Sequence, residues 1–214
     1  MGRRDSLKAV FLDYATVSNG DVDPAPLADL GGIELELHQV TAATDIDDRL
    51  AGAGIVISNK VALDADRIRR AAALELICLA ATGTNNVDLE AAREAGVGVC
   101  NIEAYCTRSV VQHVFAMILT LTHHLPAYQR LLAAGAWRAS PQFCMLDYPI
   151  RELDGKTLGI VGHGELGAAV ARAGEAFGMR VLLARRPGTD DDRPGRVPLD
   201  ELLTGADVLS LHCP

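Results

Sequence analysis

Residues Gly162-His163-Gly164-Glu165-Leu166-Gly167 follow the apolar run Thr157 to Val161 and open a segment with helical apolar spacing. Glycines at these spacings, between a strand and a helix, leave few folds open. The first permits a tight turn, the second lets the backbone approach a pyrophosphate, and the third lets helix and strand pack closely. Downstream, Leu166, Ala169, Val170, Ala173 and Phe177 share one helix face, Gly178 suits a C′ position, and Val181 to Ala184 forms the next apolar run. Strand, turn, helix and strand are written in order. A pyrophosphate is expected at the helix N-terminus, where unpaired N–H groups and the helix dipole favour an anion. The flanking strand and helix weigh against a chance glycine-rich turn.

The second strand of an NAD-selective site ends in Asp or Glu, which holds the adenosine ribose hydroxyl. Here that position is Arg185, followed by Arg186. A guanidinium presents a rigid fork of donors that matches phosphate oxygens, so NADP or NAD is the expected cofactor, with NADPH preferred. The competing reading makes both side chains solvated loop charges offset by Asp190, Asp191 and Asp192. Glu165 is expected to face solvent while its backbone N–H serves the pyrophosphate.

With 214 residues, about half of them apolar, and a net charge of −8, the chain has the length of one large domain or two modest ones. The acidic balance and few aromatics argue against a nucleic-acid partner, which a basic face would announce. No apolar stretch of membrane-spanning length and no signal-peptide core appears, so a cytoplasmic location without a membrane partner is expected. The five cysteines, Cys78, Cys100, Cys106, Cys144 and Cys213, show no CxxC spacing. They read as reduced thiols lying mostly in cores, with no metal site.

Short apolar runs alternate with helical segments through the first hundred residues, the pattern of a parallel α/β sheet. Strands are predicted at 9–12, 33–37, 54–58, 76–80 and 97–100, with helices near 26–30, 45–51, 64–73 and 89–95. A long helix is predicted over 109–125, opened by Ser109 and Gln112 at capping-box spacing. Val110, Val111, Val114, Phe115, Met117, Ile118, Leu119 and Leu121 cover more than one of its faces. It is therefore expected to be buried, between domains or subunits. Residues 133–149 lack a clear period and read as a linker.

This order resembles the D-isomer-specific 2-hydroxyacid dehydrogenases, with the second domain opening at Gly155-Lys-Thr-Leu-Gly-Ile-Val-Gly162. Ala81-Thr-Gly-Thr-Asn-Asn-Val-Asp88 is similar to that family's substrate loop, and 101–113 to its segment entering the interdomain helix. Lys8-Ala-Val-Phe-Leu-Asp-Tyr14, Ile57-Ser-Asn-Lys-Val61 and Gln142-Phe-Cys144 bring it nearest to the glycerate dehydrogenase and hydroxypyruvate reductase branch. Glu103 stands where that branch usually has Pro, and Cys106 where it usually has Gly or Ser. The resemblance implies an α/β fold in three parts. A flavodoxin-like substrate domain occupies 1–101, an interdomain helix and linker 102–152, and the first half of a Rossmann-type nucleotide-binding domain 153–214.

It further implies that backbone N–H groups of Thr82 and Gly83 hold the substrate carboxylate. A Gly-containing turn after a buried strand exposes such donors, although its polar residues could equally cap the following helix. Asn59 and Lys60 read as structural. The implied cofactor contacts are Gly162, His163, Gly164, Glu165, Leu166 and Gly167, then Arg185 and Arg186, and finally His212, Cys213 and Pro214.

The family's catalytic Arg, Glu and His correspond to segments beyond Pro214, so no catalytic residue is assigned within this sequence. His113, His123 and His124 read as buried or interface histidines of the long helix, and Arg108 as lying on the cleft rim. The strand ending at Leu211 resembles the third of the nucleotide domain, which leaves Thr157 to Val161 with an open edge. The implied activity is hydride transfer between NAD(P)H and a small 2-oxo acid, in a homodimer. A phosphoglycerate or phosphite dehydrogenase stays open. So do a non-catalytic nucleotide binder, as in the corepressors called C-terminal binding proteins, and an inactive fragment.

Overall fold

The computed structural model describes residues 6–186, 188–189, 193 and 195–213. It divides into two compact units, Met1–Glu103 and Ala104–Pro214. In the first, strands β1 (Leu7–Phe11), β2 (Ile33–Leu37), β3 (Ile55–Ser58), β4 (Leu76–Leu79) and β5 (Gly98–Cys100) form one sheet in the order β2-β1-β3-β4-β5. All its pairs are parallel. This is the flavodoxin-like order, with the chain reversing direction across the sheet between β1 and β3. Helices α1 (Ala25–Ala28), α2 (Ile46–Leu50), α3 (Ala65–Arg70) and α4 (Leu89–Glu94) supply the crossovers.

The core follows from alternation along the strands. Val10, Val56, Ile77 and Leu79 point to one face, where they meet Ile46, Leu50, Ile68 and Ala92 of the helices. Two helix starts are fixed by aspartates: Asp64 accepts from the Arg67 N–H and Asp88 from the Ala91 N–H, each at 2.9 Å. Beyond β1, Asp13 is 4% exposed, and its carboxylate accepts from three successive backbone donors, Asn59, Lys60 and Val61, the shortest contact being 2.6 Å. One buried acid thereby holds the loop after β3 against the loop after β1.

The second unit opens with α5 (Thr107–Thr122), α6 (Leu125–Ala133) and α7 (Ala136–Ala139). Then follow β6 (Thr157–Val161), α8 (Glu165–Ala176), β7 (Arg180–Ala184), β8 (Arg196–Val197), α9 (Leu199–Gly205) and β9 (Val208–Leu211). The sheet order is β8-β7-β6-β9, all parallel. Strand β6 is buried over nearly its whole length, as expected for a central strand covered on both faces. Leu158, Ile160 and Val170 are fully buried and pack with Phe115 and Ile118 of α5.

Several expectations change here. The strand ending at Leu211 is the fourth of the doubly wound order and lies beside β6, from Leu158↔Val208 to Val161↔Leu211. The third is the two-residue β8, too short to show a period. The edge of Thr157 to Val161 is therefore covered. The long helix starts two residues earlier than predicted: Thr107 donates its hydroxyl to the Ala104 carbonyl, and Ser109, inside the helix, donates to the Cys106 carbonyl. Its apolar residues do not all bury, because Phe115 and Ile118 define one face while Met117 and Leu121 are exposed. His113 is exposed, and His123 and His124 are half-buried at the helix end. Helix α7 lies within the stretch read as linker, directly after α6. None of the five cysteines is buried.

Removing the Asp13 carboxylate takes the side-chain acceptor from the Asn59 and Lys60 N–H groups, while the Val61 N–H keeps the Ser58 hydroxyl at 3.0 Å. Asp13→Ala is expected to lower unfolding free energy by about 2 kcal/mol or more, measured as a shifted urea midpoint at unchanged slope.

Candidate functional site

Strand β6 ends at Val161, whose carbonyl accepts from the His212 N–H at 2.7 Å. The chain then turns at Gly162 with φ at 90°, and a Cβ there would stand 2.5 Å from the His212 carbonyl oxygen. Both conformation and space demand glycine. At Gly167 a Cβ would collide with the Gly162 carbonyl oxygen, so this glycine sets how closely α8 approaches the end of β6. Gly164 differs: it is the N-cap of α8, and nothing lies within 4 Å of where its Cβ would be. Helix α8 starts without a side-chain cap, which leaves its first N–H groups directed at that open side.

A cavity of about 590 Å³ occupies the space. The turn contributes Gly162, His163 and Gly164; Arg185 and Arg186 come from the end of β7, and His212 and Cys213 from the end of β9. It thus lies at the carboxyl ends of β6 and its two neighbours, where the strand order reverses, which is the general location of ligand crevices in open α/β sheets. A glycine turn that a Cβ would fill, an uncapped helix N-terminus and flanking guanidiniums fit a dinucleotide. Arg193 and Arg196 line the same cavity and were not anticipated, because β8 carries no periodic signal. Arg196 also donates to the Ala184 carbonyl at 3.1 Å, bracing the end of β7. Pro214 and Asp190 to Asp192 lie outside the described residues.

Two histidines border this space. Burial, followed by the nearby Arg196, Arg193 and Arg172, lowers the pKa of His163 below the ordinary imidazole value. Burial alone lowers that of His212, whose Nε2 sits 2.9 Å from the Ser210 hydroxyl. Both shifts favour the neutral imidazole. Leu166 is half-buried on α8, and Glu165 is exposed, accepting the Thr107 hydroxyl at 3.2 Å and so linking the first turns of α5 and α8. Arg108 is exposed and lines a separate groove with Gln112 and Arg172.

In the first unit, the loop after β4 carries Thr82 and Gly83, both exposed. Among the described residues neither N–H meets a protein acceptor, whereas the Thr82 carbonyl accepts the Asn101 side-chain amide at 2.8 Å. Asn86 donates to the Val61 carbonyl and Asp88 caps α4, so the polar residues at the far end of this loop are structural. Asn59 likewise serves the fold, its amide donating to Thr16. Among the described residues no His, Cys, Asp or Glu group is placed to hold a metal, and no helix is long and apolar enough to cross a membrane.

Fold and site together define a two-unit α/β protein whose second unit is built as a dinucleotide-binding domain. Residues 115–214 match the model of the D-isomer specific 2-hydroxyacid dehydrogenase, NAD binding domain. The chain is 36% identical to a hydroxypyruvate reductase of Blautia hydrogenotrophica, over 97% of this chain and 66% of that protein. It is 41% identical to a glycerate dehydrogenase of Methylorubrum extorquens, over 84% of this chain and 56% of that one. Among solved structures, D-lactate dehydrogenase of Aquifex aeolicus, complexed with NAD and lactic acid, superposes with a TM-score of 0.74 at 29% identity, over 96% of this chain and 60% of that one. The chain belongs to the D-isomer-specific 2-hydroxyacid dehydrogenase family, and it spans less than two thirds of the length of these relatives.

The glycines should separate in their effects. Gly164→Ala is expected to keep the melting temperature within a few degrees while weakening dinucleotide binding about tenfold, because the new methyl faces the open side. Gly162→Ala should destabilise by about 1–3 kcal/mol through overpacking, and calorimetry with fluorescence titration reads both.

Proposed function

We propose that the chain forms the nucleotide and carboxylate sites of an NAD(P)H-dependent 2-oxo acid reductase of the hydroxypyruvate or glyoxylate type. The single observation that carries this reading is the pairing, within one chain, of an uncapped glycine turn at a sheet reversal with a second set of backbone donors, at Thr82 and Gly83, that meet no acceptor among the described residues. The hydroxypyruvate reductase and glycerate dehydrogenase relatives support the substrate class. When bound, the reduced nicotinamide supplies a hydride to the substrate's carbonyl carbon.

The chain's own contribution is binding and orientation. The N–H groups of Glu165, Leu166 and Gly167 receive the pyrophosphate at the positive end of α8. Gly164 allows the phosphate to approach the backbone without obstruction. Thr82 and Gly83 donate to the substrate carboxylate, and the Asn101 bond to the Thr82 carbonyl holds that peptide in place. No residue of this chain is assigned the proton transfer, since the two imidazoles at the nucleotide cavity have no carboxylate partner among the described residues.

NADPH is the preferred cofactor. Arg185 and Arg186 flank the cavity where an NAD-selective site would carry an acid, and Arg193 and Arg196 reinforce the positive field on that side. A ribose 2′-phosphate would find charge-assisted donors there, worth about 1.5–3 kcal/mol each. The protein acts as a homodimer in the cytoplasm.

Fluorescence titration should show NADPH bound about tenfold or more tighter than NADH, and Arg185→Ala with Arg186→Ala should erase most of that difference; equal affinities in the parent chain would overturn the preference. Adding hydroxypyruvate to the ¹⁵N-labelled chain should shift the Thr82 and Gly83 amide resonances. Gly83→Pro, which removes one donor, should weaken that binding about tenfold. Undisturbed resonances at saturating acid would refute the carboxylate site.

A further inference from the structure

Cys78 and Cys100 stand opposite each other in the parallel pairing of β4 and β5. Registered residues of adjacent strands project from the same face, and the strands run about 4.8 Å apart. That spacing falls inside the roughly 4.4–6.8 Å between Cα atoms that a disulfide accepts. Strand β5 is at the sheet edge, three residues long, and Cys100 is its last residue, so small closing movements meet little resistance.

The two thiols are chemically unlike. Cys100 is exposed and Cys78 half-buried. Burial pushes the Cys78 thiol up to about 12, with a hydrogen bond to Cys100 and the charge on Cys100 acting in the same direction. Cys78 is therefore the thiol that holds its proton, and Cys100 is the one that an oxidant in solution reaches.

We propose that Cys78 and Cys100 form a modification site, a dithiol that a hydroperoxide closes to a disulfide and a small dithiol reopens. The Cys100 thiolate attacks the terminal peroxide oxygen, the O–O bond breaks, and Cys100 becomes a sulfenic acid while the departing oxygen leaves protonated. The Cys78 sulfur then attacks the Cys100 sulfur, the S–O bond breaks, and the hydroxyl departs as water with the Cys78 proton. Two electrons pass from the thiol pair to the peroxide. Given the role proposed above for Thr82 and Gly83, closure brings the carboxylate loop under redox control, because Asn101, adjacent to Cys100, holds the Thr82 carbonyl.

The test treats the purified chain with hydrogen peroxide, blocks the remaining thiols with N-ethylmaleimide and maps the peptides by mass spectrometry. A Cys78–Cys100 cross-link that dithiothreitol removes is the expected result. Cys78→Ser should leave a Cys100 sulfenic acid that dimedone traps, and Cys106→Ser should leave the cross-link intact. Unlinked Cys78 and Cys100 in an oxidised chain of unchanged circular dichroism would overturn the proposal. The cross-link is read without substrate, so its failure is distinct from failure of the carboxylate reading. Amide exchange over residues 81–84 that stays unchanged after cross-linking would overturn only the control of the loop.

Discussion

The approach of the Gly167 Cα to the Gly162 carbonyl is the contact on which the second unit depends. It fixes where α8 begins relative to the end of β6, and Gly174, whose missing Cβ makes room for Leu158, keeps the rest of the helix equally close. The same turn is constrained from its other side. The His212 carbonyl rests where a Gly162 side chain would be, while the His212 N–H bonds the Val161 carbonyl. The glycine that allows the turn thus also admits the chain leaving β9. Sheet order at the reversal and the shape of the cavity have one steric origin.

Much of this architecture was legible in the residues. Strands β2 and β6 fall where predicted for different reasons: β6 is a central strand that reads as a nearly unbroken apolar run, while β2 is an edge strand whose Ile-Glu-Leu-Glu-Leu alternates half-buried and exposed residues. The third strand was not legible, because Arg196 and Val197 gain their pairing from β7 and carry no pattern of their own. That omission shifted the identity of the last strand by one. The long helix misled in another way: its apolar residues surround the axis, but the face bearing Val111, Val114, Phe115, Ile118 and Leu119 packs on the core while Met117 and Leu121 are exposed, and composition alone does not say which side packs.

The candidate sites divide along the same line. Glycine positions were readable because they express backbone geometry, which is local. Arg193 and Arg196 were not, because their place at the cavity depends on a sheet edge formed across the fold. Asp13 is the clearest omission. Nothing in its sequence surroundings distinguishes it from a solvated acid, yet it gathers three backbone donors from residues more than forty positions away. It explains why Asn59 and Lys60 sit as they do, and it reduces the second unit's monopoly on backbone-mediated anion binding, since the first unit applies the same device to its own carboxylate.

Anion recognition by backbone and by side chain has different consequences in a chain of net charge −8. An overall negative field opposes the approach of a dinucleotide or an oxo acid, and screening limits that opposition to about 10 Å at moderate salt. Donors in a turn or at a helix start are held by the fold before the ligand arrives, so they lose little conformational entropy on binding, and their geometry selects phosphate or carboxylate without regard to total charge. Guanidiniums on flexible side chains lose more entropy, but they reverse the field locally. On the proposed reading, backbone donors would receive the anion common to both nucleotides, and the arginines would carry any difference between them. Discrimination between cofactors can then change by substitution at the ends of β7 and β8 while the turn, which the sheet itself requires, stays as it is.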